Sequence, residues 1–248
     1  MAKVNDLIYV IRSATSPVTI RTYEDSIPYD LLMITLSEEM EFPNHMVGIE
    51  NKSALYVSDW GMGCIWKIDL RTHKIYRWLN KSSNGLSVTN DNHLLLLRRW
   101  NWFLDIYNED AQLVRSISLP YDFRDPFNKL TVQISNGDFI ITHNMEGRLW
   151  KFVSFLSTDG KIITQFSLTA IKSSSHAQAF LDTHSNNLIA VELTNEDIYL
   201  FNPVTLIWNH AYGFENRPII DSVFHDTKKR QLIVVLHSGA HIFTLNEG

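Results

Sequence analysis

Three features of the sequence predict an all-β fold. Six short apolar runs begin at Leu7, Leu55, Leu94, Phe139, Leu188 and Leu232, at successive separations of 48, 39, 45, 49 and 44 residues. Each follows a turn-forming cluster: Asn5-Asp6, Asn51-Lys-Ser53, Asn90-Asp-Asn92, Asn136-Gly-Asp138, Ser185-Asn-Asn187 and Thr227-Lys-Lys229. Asn, Asp, Gly and Ser accept left-handed or locally hydrogen-bonded backbone, so such clusters mark tight turns. Eight to eleven residues after each run begins, a second segment alternates apolar and polar residues with period two. A repeat of this length with several strands per unit is the spacing of a propeller. The expected architecture is a single domain over residues 1–248, a six-bladed β-propeller of four-stranded antiparallel blades.

The strands of each blade follow in order. Inner strands are expected at Met1–Val4, Met46–Glu50, Gly85–Thr89, Leu130–Ser135, Ala177–Asp182 and Ile219–His225. The apolar runs are the second strands. The alternating segments, Val18–Tyr23, Cys64–Asp69, Phe103–Asn108, Leu149–Ser154, Asp197–Asn202 and Ala240–Leu245, are the third, each with one half-buried face. Fourth strands fall at Leu31–Leu36, Lys74–Leu79, Leu113–Leu119, Ile162–Leu168 and Leu206–Tyr212. The blades then span approximately 1–37, 42–80, 84–119, 127–168, 176–213 and 217–247. A four-stranded sheet cannot bury both faces alone, so the blades must stack, which also protects their edges. The short first inner strand and the missing sixth outer strand predict irregular ring closure, a fragment or a shorter form.

Composition narrows the functional classes. The chain is 45% hydrophobic and 20% charged, an ordinary globular balance. Its net charge of −5 argues against DNA as a partner, because nucleic-acid binding needs clustered positive charge. Cys64 is the sole cysteine, so no intramolecular disulfide forms and the thiol reads as a small buried hydrophobe in a reducing compartment. The N-terminus shows no apolar signal region, and no run reaches the roughly 18 apolar residues of a membrane span. A cytoplasmic location with no membrane partner is expected.

Tyr56-Val-Ser-Asp-Trp-Gly-Met-Gly-Cys-Ile-Trp-Lys-Ile-Asp69 resembles the repeat of NHL propellers: an apolar strand ending in a small residue and Asp, a Gly-containing turn, then a strand carrying Ile or Val. Asn84–Asp91 and Ile106–Ile117 are similar to that family's inner and outer strands, and Pro43, Pro126 and Pro218 each precede an inner strand. Gly63-Cys64 stands where the family's Asn-His pair falls, while Asn101 and Asn195 keep the Asn in two other copies. YWTD and gluconolactonase-like propellers are neighbours in pattern. The resemblance implies a recognition module or scaffold. With no RING, B-box or coiled-coil pattern in the sequence, the resemblance gives no warrant for ligase activity.

The turns joining second to third strands share one propeller face with the loops leading into inner strands. Those segments carry Arg12, Trp60, Met62, Arg98, Arg99, Trp100, Trp102 and Arg148, with Arg124 in a leading loop. Arg and Trp dominate interface hot spots, because each buries much area while keeping a cationic or polar handle. These nine residues are the candidate partner-binding set, with a protein partner expected. The same side chains could stack and neutralise single-stranded RNA, which is the alternative.

Signals for catalysis are thin. A gluconolactonase-type metal-dependent lactonase or esterase would use polar inner-strand residues, here Asn44, His45, Gln133, Gln178, Asp182 and Asp221. Asp182 and Asp221 are expected towards opposite ends of their strands. The ten His show no HxH or HExxH spacing, and GxSxG, P-loop and GxGxxG motifs are absent. No cofactor, no metal site and no enzymatic activity are expected. Asp59, just before the Gly61-Met-Gly63 turn, is expected to accept backbone N–H bonds and fix that turn.

Overall fold

The computed structural model describes residues 2–5, 7–12, 19–24, 27–35, 40–81, 83–98, 102–120, 123–124, 131–134, 136–145, 148–167, 177–182, 187–192, 197–202, 207–213, 220–226, 231–236 and 239–244. The chain divides into two compact units, Met1–Ile117 and Ser118–Gly248.

The first unit holds three four-stranded sheets, the last of whose outer strands runs one residue past the boundary. One comprises β1 (Ala2–Val4), β2 (Leu7–Arg12), β3 (Thr19–Glu24) and β4 (Ile27–Thr35). The next comprises β5 (Pro43–Ile49), β6 (Ala54–Asp59), β7 (Cys64–Asp69) and β8 (Ile75–Leu79). The third comprises β9 (Ser83–Val88), β10 (Leu94–Arg98), β11 (Phe103–Tyr107) and β12 (Leu113–Ser118). Strands pair in chain order within each sheet, and β1, β5 and β9 lie side by side as the inner strands.

The second unit begins with a five-stranded sheet of β13 (Phe123–Arg124), β14 (Thr131–Gln133), β15 (Phe139–Met145), β16 (Arg148–Leu156) and β17 (Ile162–Ser167). A four-stranded sheet follows, β18 (Ala177–Asp182), β19 (Asn187–Glu192), β20 (Asp197–Asn202) and β21 (Ile207–Gly213). The last sheet has three strands, β22 (Ile220–Asp226), β23 (Gln231–Leu236) and β24 (Gly239–Thr244).

The turn clusters repeat in three dimensions. Asn5, Ser53, Asn92 and Gly137 all have positive φ, and each lies two residues before the second strand's Leu7, Leu55, Leu94 or Phe139. His73, Ala111 and Gly160 do the same two residues before β8, β12 and β17. The backbone bonds match as well: Asn92 N donates to Thr89 O at 3.0 Å, Gly137 N to Ile134 O at 2.9 Å and Gly160 N to Ser157 O at 2.9 Å. A tight turn closed by one left-handed residue is a standard short hairpin connection. It explains why Asn and Gly, which tolerate that conformation, punctuate the repeat.

Burial departs from the expectation of half-buried third strands. All six residues of β6 are buried, and in β7 Cys64, Ile65, Trp66 and Ile68 are buried. Alternate residues of one sheet belong to two cores. Leu55, Val57, Cys64, Trp66 and Ile68 pack with Val4, Tyr9, Ile20 and Ile34 from the preceding sheet. Ala54, Tyr56 and Ile65 pack with Leu86, Leu94, Leu96 and Tyr107 from the following one. A central blade is covered on both faces, so period-two alternation here sorts side chains between two apolar cores. The outer strands are the exposed ones: Leu113, Val114, Ile162 and Ile163 lie on β12 and β17 with about half of their surface in solvent.

The inner strand expected at Leu130–Ser135 is present as the shorter β14, and a second piece, β13, pairs with the same neighbour outside the expected bounds. β14 pairs Thr131–Gln133 with Phe139–Ile141, while β13 pairs Phe123 with Met145 and Arg124 with Asn144. Arg124 is therefore in a strand and not in a loop.

A seam between the second and third sheets links aromatic and ionic groups. Trp78 meets Tyr56 edge-on at 4.9 Å and Tyr107 at 6.4 Å, and donates from Nε1 to Glu109 O at 2.9 Å. The Lys67 ammonium lies 5.7 Å from the Tyr56 ring centroid. Burial pushes the Tyr56 phenol above its ordinary 10.0. Burial alone would lower Lys67, but the phenols of Tyr56 and Tyr76 beside it outweigh that and raise it above 10.5. Both folded values lie above the unfolded ones, so their contribution is complete below pH 10 and is lost as pH rises through the folded values. Urea midpoints should stay level from pH 8 to about 9.5 and fall above about pH 10, with Tyr56→Phe reducing the fall.

Candidate functional site

Asp59 ends β6 with its side chain fully buried. Its Oδ1 accepts from the backbone N–H groups of Phe42 at 3.0 Å, Gly61 at 3.1 Å and Met62 at 3.2 Å. Its Oδ2 accepts from Glu41 N at 3.0 Å and from Trp66 Nε1 at 3.2 Å. One carboxylate thus closes the Gly61-Met-Gly63 turn, as expected, and also ties that turn to the segment leading into β5. Trp60 N donates to Phe42 O at 2.9 Å and completes the clamp. In this sheet, the shared face of turn and leading loop is a direct hydrogen-bonded contact.

Two large apolar side chains stand out from the clamp: Phe42 is 62% exposed and Trp60 45%. A Cβ on Gly61 would lie 2.6 Å from Glu41 Oε2 and 2.7 Å from Phe42 Cδ2, so the acidic and aromatic groups close over the glycine. Gly61→Ala should cost about 1–3 kcal/mol, read as a lower urea midpoint at unchanged m value. Met62 turns inwards and packs against the core of the first two sheets. Phe42 and Glu41 are absent from the sequence-derived set. The signal for them is their place directly before Pro43, in a segment leading into an inner strand.

Arg98 ends β10 and is engaged. Its guanidinium binds the fully buried carboxylate of Asp105 and lies 5.1 Å from the Phe103 ring centroid. Asp105 also accepts from Tyr107 OH at 3.1 Å and Ser116 Oγ at 2.6 Å, with Lys81 Nζ 3.7 Å away. In the second unit the buried His143 meets Ser154 Oγ at 2.7 Å, and Gln165 Nε2 donates to the same hydroxyl at 2.9 Å. Ser154 has no exposed surface and His143 only 2%.

These polar groups occupy one repeated address. Asp59, Arg98 and His143 each lie four residues after their second strand's reference residue, Leu55, Leu94 or Phe139. Their partners Trp66, Asp105 and Ser154 each pair with the residue two positions after that reference: Val57, Leu96 and Ile141. Three sheets place a different hydrogen-bonded polar pair at the same two positions.

The remaining predicted residues scatter. Arg12 ends β2 opposite Thr19, and Arg148 begins β16 opposite Met145, so both stand in strands and not in turns. Trp102 is partly buried just before β11, and Arg99 and Trp100 lie outside the described residues. Of the inner-strand polar residues, Gln133 donates to Gly137 O at 3.2 Å, while Asp182 ends β18 and Asp221 sits near the start of β22. Among the described residues no three His, Cys, Asp or Glu cluster as metal ligands would. Among the described residues no helix is long and apolar enough to cross a membrane.

No family model matches the chain, and no curated protein sequence does. Solved structures do. Virginiamycin B lyase from Staphylococcus aureus is similar at 14% identity and TM-score 0.54, over 83% of this chain and 71% of the lyase. A Lactobacillus plantarum protein is similar at 12% identity and TM-score 0.62, over 99% and 80%. YCF48 in complex with a D1 peptide is similar at 8% identity and TM-score 0.61, over 99% and 78%. At these identities the likeness shows the fold, a β-propeller, and nothing of the ligand.

Proposed function

We propose that this β-propeller is a non-enzymatic recognition module, six-bladed and of NHL type, that binds a protein partner in the cytoplasm through the face carrying the Asp59 clamp. The observation that carries the reading is the rigidly held, exposed pair of Phe42 and Trp60. Large apolar side chains fixed by backbone hydrogen bonds lose little entropy on binding, which is the physical profile of an interface anchor. Among the solved neighbours, YCF48 is seen with a peptide. The best-placed nucleophile–base pair among the described residues, Ser154 and His143, is sealed from solvent, which supports a binding role over hydrolysis. RNA is the weaker reading, because Arg98 is committed to Asp105.

The test is affinity capture with the intact chain, with and without RNase. Trp60→Ala is expected to lose at least tenfold of partner capture with a fall in urea midpoint of no more than about 1 kcal/mol equivalent, since nearly half of its surface is in solvent. Capture that disappears with RNase would establish the RNA reading in its place. Capture of no partner by the wild-type chain would refute recognition itself.

A further inference from the structure

The first unit repeatedly sets a cation against an aromatic ring. Lys67 stands over Tyr56, Arg77 over Trp66, Lys81 over Tyr107 and Arg98 over Phe103, at 5.1–5.7 Å from the ring centroids. At Phe42, among the described residues, the pattern is incomplete. Glu41 and Phe42 crowd together over Gly61, and Trp60 follows in the adjoining turn. Glu41 is exposed, and among the described residues no cation pairs with its carboxylate or covers the Phe42 ring.

We propose that Glu41, Phe42 and Trp60 form a receptor for an arginine side chain of a peptide partner. The inference rests on the protein-recognition reading and specifies its chemistry. An arginine suits the site because its planar guanidinium stacks on aromatic faces while its N–H groups engage a carboxylate. Lysine offers the charge without the planar fork. An acidic peptide would meet Glu41 and a chain of net charge −5. A wholly apolar one would leave the carboxylate desolvated without a partner. The clamp supplies preorganisation: Asp59 holds the backbone of Glu41, Phe42, Gly61 and Met62 in place before any ligand arrives.

The experiment uses the full-length chain on an array of random-sequence peptides, with Glu41→Gln and Trp60→Ala in parallel and thermal unfolding as the control for folding. Glu41 is exposed and Trp60 nearly half exposed, and Glu41→Gln keeps the backbone N–H that Asp59 holds. Peptides retained by the wild type should be enriched in arginine over lysine. Their signal should fall roughly fivefold or more in each variant and decline as salt is raised. Retained peptides without arginine enrichment, or retained equally by both variants, would overturn the proposal while leaving protein recognition standing. Retention of no peptide, alongside partner capture by the intact chain, would also overturn it. No peptide and no partner would sink both.

Discussion

Replacing Asp59 with alanine lowers stability by about 3 kcal/mol, read as a fall in urea midpoint at unchanged m value. Five donors converge on this carboxylate, four of them backbone N–H groups. Each donor left without a partner in a buried site costs about 1–3 kcal/mol, and the rim donors are only part-buried, so water recovers some of that. Asp59→Asn separates charge and geometry from bulk. Its single carbonyl oxygen can take over the three bonds to Oδ1, but its amide group then faces Glu41 N and Trp66 Nε1, donor against donor. A loss of about 2 kcal/mol is expected for Asn, and about 1 kcal/mol for Trp66→Phe, which frees one bond and keeps most of the packing. If Asp59→Ala unfolds like the wild type, the clamp does not hold the rim. Partner capture should fall with Asp59→Ala even where the protein remains folded, because Phe42 and Trp60 lose their fixed backbone.

The repeat was legible because its turns obey local chemistry. Asn5, Ser53, Asn92 and Gly137 announce a left-handed residue by their own side chains, or by lacking one, and the strands between them follow. Cys64–Asp69, Ala177–Asp182 and Asp197–Asn202 match the expected bounds residue for residue. The fourth inner strand was less legible, because its pairing partner β15 is long enough to hold two separate pieces, β13 and β14. Nothing local to Phe123-Arg124 signals a strand.

The candidate site was legible in part. Asp59 and its turn could be read from the Asp-x-Gly sequence, which supplies a carboxylate within reach of following N–H groups. The exposure of Trp60 agrees with its turn position. Arg98 shows where such reading ends. An Arg directly after an apolar run looks like a rim cation, and only the register Leu96↔Asp105 brings a buried carboxylate beside it. Long-range pairing decides whether an arginine is offered to a partner or spent within the blade.

That pairing yields the second large effect. Arg98→Ala is expected to cost about 3 kcal/mol, because it strips the main cation from a carboxylate with no exposed surface. Lys81, 3.7 Å away and 40% exposed, compensates only weakly, since a half-solvated ammonium is screened and must be held in place. Asp105→Leu should cost a similar amount by stranding the Arg98 guanidinium and by taking the acceptor from Tyr107 and Ser116. The double change Arg98→Leu with Asp105→Leu removes both charges and fills the space with apolar atoms. Tyr107 OH keeps its 2.5 Å contact with Lys81 Nζ, and Ser116 lies at an exposed position where water can replace the carboxylate. The double variant should therefore be more stable than either single one, with a coupling energy of about 2 kcal/mol in a double-mutant cycle. Additive losses would mean that Arg98 and Asp105 do not act as a pair, and Arg98 would again be free to serve the rim.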